Sequence, residues 1–174
     1  MSNLSSLPPF RKDGAANVVV ETPRGSGIKL SYDPDDDCFE YSKALPLGVT
    51  FPYSFGFIPG TTSEDGDALD VLVLTEAPTF PGIVIRTRLI GVVRVSENGK
   101  KGKRRRNDRL IGVPLDEKRT ADGCKRPEDL PERLRQEIEQ FFLNTTLFTQ
   151  KEPTIDGWKG PKAAKKLVDG SRKK

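Results

Sequence analysis

Residues 69–74, Leu-Asp-Val-Leu-Val-Leu, form an apolar run broken by a single carboxylate. A run of this kind reads as a buried strand, so the chain is expected to build around a β core. Asp70 stands inside the run, between Leu69 and Val71, and Asp65 and Asp67 lie just before it. A carboxylate in such a setting has to be paired with a cation or hold a metal ion. A plain turn, for which Asp and Gly are well suited, accounts for Glu64 to Asp67 but not for Asp70.

The remaining pattern is mostly β. Residues 17–22 (NVVVET), 28–32 (IKLSY), 38–43 (CFEYSK) and 109–115 (RLIGVPL) are strand-like, and 83–96 is a long β-rich stretch with a bend expected near Gly91. Residues 51–60 (FPYSFGFIPG) read as irregular chain or a short strand, with Gly56 allowing close backbone approach. The period then changes. Leu130, Leu134, Ile138, Phe141 and Phe142 fall on one face of a helix expected over 126–144, and 160–170 reads as a second, short helix. Strands first and helices later predict an α+β, mainly β fold: a small closed antiparallel barrel with helices outside. Residues 1–16 read as a flexible lead, 17–170 as one domain and 171–174 as a basic tail.

The chain has no histidine, which removes imidazole acid–base chemistry, Ser-His-Asp triads and His-ligated zinc. Cys38 and Cys124 lack a CxxC spacing and read as free thiols. No secretory signal or membrane-length apolar run is visible, so a soluble cytoplasmic protein is expected. A net charge of +4 suits an anionic partner without choosing one.

The acidic positions point to a hard cation. The EF-hand pattern fails at Asp65–Asp70, where a strand follows directly, and at residues 33–44, where Cys38 and Ala44 replace the required Gly and Glu. Asp65, Asp67 and Asp70 instead suit Mg²⁺, which prefers carboxylates completed by waters and substrate phosphates. Glu21 and Glu97 are candidate further ligands, and Lys29, Lys43 and Arg109 could balance a polyanionic substrate. Residues 100–109 (KKGKRRRNDR) hold seven basic residues, so this segment is either a solvated loop or a contact for polyphosphate or nucleic acid.

The segment DGDALDVLVL, with FPYSFGFIPGT upstream and VVVETP followed by IKLSYD before it, resembles the soluble family I inorganic pyrophosphatases. Their signature is D-G-D-P-x-D before a buried strand. PGIVIRTRLIGVV and DGWKGPKAAKKLV match later segments, and the likeness spans about residues 17–168. It implies a five-stranded OB-like closed barrel with flanking helices. It also implies Mg²⁺-dependent hydrolysis of pyrophosphate in the cytoplasm, and a homo-oligomer that is a hexamer in bacterial members. Carried over by position, Asp65, Asp67 and Asp70 match the central metal carboxylates, and Asp67 the group that orients or deprotonates the attacking water. Glu21 matches an outer metal-site acid, Lys29 a phosphate-binding lysine, and Glu97 stands at an Asp ligand.

The chain departs from the family elsewhere. Lys43 replaces an Arg, Arg109 a Lys, Ser31 a Glu, and Phe51 and Phe55 two tyrosines. Asn98 replaces an acid, and Thr145 and Thr146 stand in place of a Tyr-Lys pair. Asn107 aligns with an Asp metal ligand, and Asp108 is the alternative in that register. Two readings follow: a Mg²⁺-dependent phosphoanhydride hydrolase with pyrophosphate as leading substrate, or a catalytically weak barrel that binds polyanions or a partner protein.

Overall fold

The computed structural model describes residues 3–115 and 123–173. Its strands are β1 (Ala16–Thr22), β2 (Ile28–Asp33), β3 (Cys38–Ala44), β4 (Ser54–Ile58), β5 (Leu69–Val73), β6 (Val84–Asn98), β7 (Arg104–Arg106), β8 (Arg109–Pro114) and β9 (Thr154–Lys159). The helices are α1 (Glu132–Asn144) and α2 (Pro161–Gly170). Strands β1, β4, β5, β8 and β6 pair in that order, and β6 returns to β1, so five strands close a ring. β7 and β9 add to β6, and β2–β3 form a separate hairpin. The result is the expected mainly-β, OB-like fold with two helices.

The expectation of a wholly antiparallel arrangement is not met, because β5 and β8 run parallel. Closure requires this. Antiparallel neighbours alternate in direction, and an odd number of strands cannot alternate all the way round a ring. The parallel neighbours are not joined by a tight turn; the chain reaches β8 from β5 through β6, as a parallel pair demands.

The β5 sequence lacks polar alternation because both of its faces are covered. Val71 and Val73 pack in one apolar cluster with Val18, Ile58, Leu110 and, from α2, Ala164 and Val168. Leu72 and Leu74 pack in a second cluster with Phe51, Phe55, Ile111 and, from α1, Ile138, Phe141 and Phe142. The expected face of the first helix is therefore the one that packs, but the helix begins later than expected. A separate 3-10 turn occupies Pro127–Asp129, and Pro131, which lacks an amide hydrogen, precedes the first helical residue.

Residues 51–60 contain a short, fully buried strand, β4, which is one of the two forms expected there. Two further segments differ from their expected form. The basic stretch is not a plain loop: a short 3-10 turn at Lys100–Gly102 leads into β7, which folds back on β6. Residues 154–159 form a strand along β6 that the sequence reading did not identify.

Both ends of the described chain are tied to the turn after β4. The Gly60 amide donates to the Ser5 carbonyl (3.1 Å), the Lys173 amide donates to the Gly60 carbonyl (2.9 Å), and the Thr62 amide donates to the Ser171 carbonyl (2.7 Å). The segment expected as a lead also holds Tyr32, whose hydroxyl accepts from the Leu4 amide (3.2 Å). Of the ends, residues 1–2 and the last residue of the expected basic tail, Lys174, lie outside the described residues.

Gly56 is the tightest point of the ring. A Cβ there would lie 1.9 Å from the Val19 carbonyl oxygen on β1, a backbone atom that cannot move aside without breaking strand pairing. Gly56→Ala is expected to destabilise the protein by about 3 kcal/mol or more, at or beyond the upper end of ordinary overpacking. Urea unfolding should show a lower midpoint, and an unchanged midpoint would contradict the close β1–β4 approach.

Candidate active site

The site forms where three neighbouring strands end one face in charge. Successive side chains alternate across a strand, so Asp70 shares a face with Leu72, Glu97 with Val93 and Val95, and Arg109 with Ile111 and Val113. All of these apolar residues belong to the cluster under α1. The same period that buries the core therefore carries a carboxylate, a second carboxylate and a guanidinium to one edge of it. The turn before β5 adds Asp65 and Asp67, β1 adds Glu21, and the β2–β3 hairpin adds Lys29 and Lys43.

Two cavities meet at Lys29. The first, about 230 Å³, is lined on its acidic side by Glu21, Asp67 and Asp70, and its rim includes Ser5 and Lys173 from the two chain ends. The second, about 300 Å³, is lined by Lys29, Lys43, Arg109 and Lys151, with Thr145, Thr146 and Thr149. Phe51 and Phe55 form its apolar floor; their rings lie 5.4 Å apart, and Phe51 meets Phe141 at 5.1 Å.

The cationic cavity is built against electrostatic preference. Lys29 and Lys43 are direct cross-strand partners in the β2–β3 hairpin, an arrangement that like charges oppose. Lys43 Nζ donates to the Thr145 carbonyl at 2.9 Å, which aims it at the cavity. Burial lowers its pKa, and Lys29, Lys151 and Arg109 lower it further. Lys29 Nζ stands 5.8 Å from the Phe55 ring centre. Lys151, in the turn that follows α1, was not singled out from the sequence, where nothing in a polar turn marks one lysine above another.

The carboxylates divide into compensated and uncompensated groups. Asp70 pairs with Arg109, whose guanidinium also donates to the Asn107 side-chain oxygen. Glu97 is 1% exposed and its Oε1 accepts from Arg105 Nη2 (2.9 Å), Asn107 Nδ2 (2.9 Å) and Lys151 Nζ (3.4 Å). Burial alone would raise its pKa, but these donors together lower it. Asp65 is likewise lowered in spite of burial, by the Ser63 hydroxyl, the Asp67 amide, Arg105 and Arg109. Asp67 is different. Its carboxylate accepts no hydrogen bond among the described residues, and burial, then Asp65 and Asp70, push its pKa up. Glu21 is 8% exposed and is raised to about 7, chiefly by burial, with Asp70 and Asp67 adding to the shift against the Tyr32 amide that donates to it at 2.8 Å.

The fold brings Asn107, not Asp108, to this cluster. Asn107 bonds Glu97 and Arg109, whereas Asp108 accepts from the Val95 amide (3.0 Å) and Arg106 (2.6 Å); both line a neighbouring cavity with Asp70. Asn98 also stands apart, bonded to Gln150 and Glu152. Among the described residues no three carboxyl or thiol groups close into a ready-made metal cage. The donor chemistry on the Asp67 side nevertheless fits a hard cation. It offers oxygen ligands alone, an excess of negative charge and an adjoining space for water, and Mg²⁺ in particular binds through one or two carboxylates rather than a protein cage.

A closed OB-like ring with an acidic cluster on one side of its mouth and a lysine-lined pocket on the other defines the class of protein. The sequence model for the family described as inorganic pyrophosphatase matches residues 18–174. An inorganic pyrophosphatase of Thermus thermophilus is 38% identical over 168 residues, covering 94% of this chain and 93% of that protein. One from Synechocystis is 36% identical over 167 residues, covering 96% and 95%. The crystal structure of inorganic pyrophosphatase from Thermus thermophilus superposes with a TM-score of 0.88 at 36% identity, over 98% of this chain and 97% of that one. The chain belongs to the inorganic pyrophosphatase family.

Glu21 makes the empty-handed acidic side measurable. Its native pKa lies above its unfolded value, so the folded state holds the proton more tightly, and stability is lost as pH rises from about 4.5 through about 7. With divalent ions chelated, Glu21→Gln should remove a penalty of order 1–3 kcal/mol at pH 8 and little at pH 4.5. Urea unfolding of both proteins at the two pH values measures the difference, and identical pH slopes would contradict the buried, uncompensated state of Glu21.

Proposed function

We propose that this protein hydrolyses inorganic pyrophosphate to two phosphates with the help of Mg²⁺. The observation that carries the reading is the pairing of the two cavities: Asp67 and Glu21 without a paired cation among the described residues on one side of Lys29, and on the other Lys29 and Lys43 held together against their repulsion beside Arg109 and Lys151, which are paired with Asp70 and Glu97. Separated charge of this kind costs stability unless a ligand spans it. A polyanion bridged to a divalent cation satisfies both sides at once. Family membership supports the same substrate.

The residues then take distinct parts. Lys29, Lys43, Lys151 and Arg109 hold the phosphoryl oxygens, with the lysines acting as point charges where a guanidinium would bind in two-point fashion. Asp65, Asp67 and Asp70 would hold the metal side, with Glu21 close by. Bound Mg²⁺ supplies charge for the phosphoryl oxygens and lowers the pKa of a coordinated water. Asp67 accepts the proton of the attacking water; its raised pKa and lack of donors suit a base. The water oxygen bonds to one phosphorus, the bridging P–O bond breaks, and the second phosphate leaves with its charge held by the lysines. Phe51 and Phe55 contribute no hydroxyl, so the burden of phosphate binding falls on the cations.

Polyanion binding without chemistry is the competing reading. It explains the lysines but leaves the unpaired carboxylate of Asp67 and the buried one of Glu21 without a purpose. Asp67→Asn should reduce Mg²⁺-dependent phosphate release from pyrophosphate by roughly 10²–10⁴-fold, because an amide cannot take the proton. Steady-state release, compared across pyrophosphate, tripolyphosphate and nucleotides, provides the check. A variant with undiminished turnover would refute the role of Asp67, and no release from any substrate by the wild type would return the protein to the binding reading.

A further inference from the structure

The basic hairpin enters the site itself. Arg105 and Glu97 are direct partners across β6 and β7, and the Arg105 guanidinium meets the Glu97 carboxylate at 2.9 Å. Opposite charges in this cross-strand position favour one register of the hairpin. The stem of Arg105 is given its path by Gly99 at the hairpin turn, where a Cβ would lie 2.9 Å from Arg105 Cδ. Gly99 adopts an ordinary extended conformation, φ −92°, so space for Arg105, not backbone freedom, is what a glycine supplies here. With Arg105, Asn107 and Lys151 all donating to it, Glu97 Oε1 has no capacity left for another partner. Two positive groups within 3.4 Å of one oxygen also repel any further cation.

The contrast with Asp67 is direct. Two carboxylates of one site have opposite surroundings: Asp67 has no donor among the described residues, whereas Glu97 has three at Oε1, two of them cationic. We infer that Arg105 is a built-in cation that takes the place of a metal ion at Glu97, so that divalent ions bind on the Asp65–Asp67 side alone. Residues 100–106 thus serve as an internal counter-ion arm for the site. The inference rests on the reading of Asp65, Asp67 and Asp70 as the metal-binding side.

Its test counts bound ions and does not depend on turnover. Free Mn²⁺ is followed by electron paramagnetic resonance while wild type, Arg105→Ala and Arg105→Gln are titrated without pyrophosphate. Both variants should bind one more Mn²⁺ than the wild type, or bind the last ion roughly 10–100-fold more tightly. Arg105→Gln keeps a donor for Glu97 and guards against a fold lost through an unpaired buried carboxylate. Arg105→Ala combined with Glu97→Gln should fall back to the wild-type number, which ties the gained ion to Glu97. Arg105 variants that bind Mn²⁺ as the wild type does overturn the inference. Phosphate release from pyrophosphate by the wild type, measured in parallel, judges the activity separately: a gained ion in a protein that releases no phosphate leaves the Arg105 inference standing and removes the proposed reaction.

Discussion

The structure depends on the closing of a five-stranded ring by β6. Residues 84–87 of this strand pair with β1, residues 87–93 with β8, and its far end carries β7 and β9. A single strand can serve so many neighbours only if it bends, and its register with β8 shifts between Leu89 and Gly91. A Cβ at Gly91 would lie 2.5 Å from Pro127 and 2.6 Å from the Lys159 carbonyl, so the bend is also where the segment before α1 and the end of β9 crowd in. Closure leaves the ring strands paired on both sides and exposes their ends, and the chemistry has been placed at those ends.

Charge at the end of a buried face has to be answered locally, and the molecule answers it unevenly. Arg109 settles Asp70, while Arg105, Asn107 and Lys151 settle Glu97. Asp67 and Glu21 are left to a ligand, as are Lys29 and Lys43 across the way. Preorganised charge of this sort is strained before binding and relieved by it, which is the usual relation between stability and function in a site. On the cationic side the floor is apolar: Phe51 packs against both Phe55 and Phe141.

The strands with a clear period were legible in the sequence, and so was the acidic turn, because Asp70 inside an apolar run admits few explanations. The helical face of α1 was equally plain. What escaped were features fixed by a partner rather than by their own composition. β9 contains Asp156 and Gly157, with Gly157 at φ +91°, and reads as a turn until β6 is there to pair with it. β7 is three arginines, which no strand propensity would choose; its pairing with β6 and the reach of Arg105 to Glu97 hold it in place. Lys151 is similarly invisible in a polar turn. Which of Asn107 and Asp108 bonds Glu97 depends on the way each side chain faces just before β8, which composition does not show.

The clasp of Ser5, Ser171 and Lys173 on the turn at Gly60 and Thr62 has a bearing on synthesis. That turn leads straight into the acidic residues, and Ser5 and Lys173 both stand on the rim of the acidic cavity. A ribosome delivers Ser5 before the ring strands and residues 171–173 after the last of them. The mouth of the site therefore stays unfinished throughout translation of the intervening strands and is latched only when this late segment arrives.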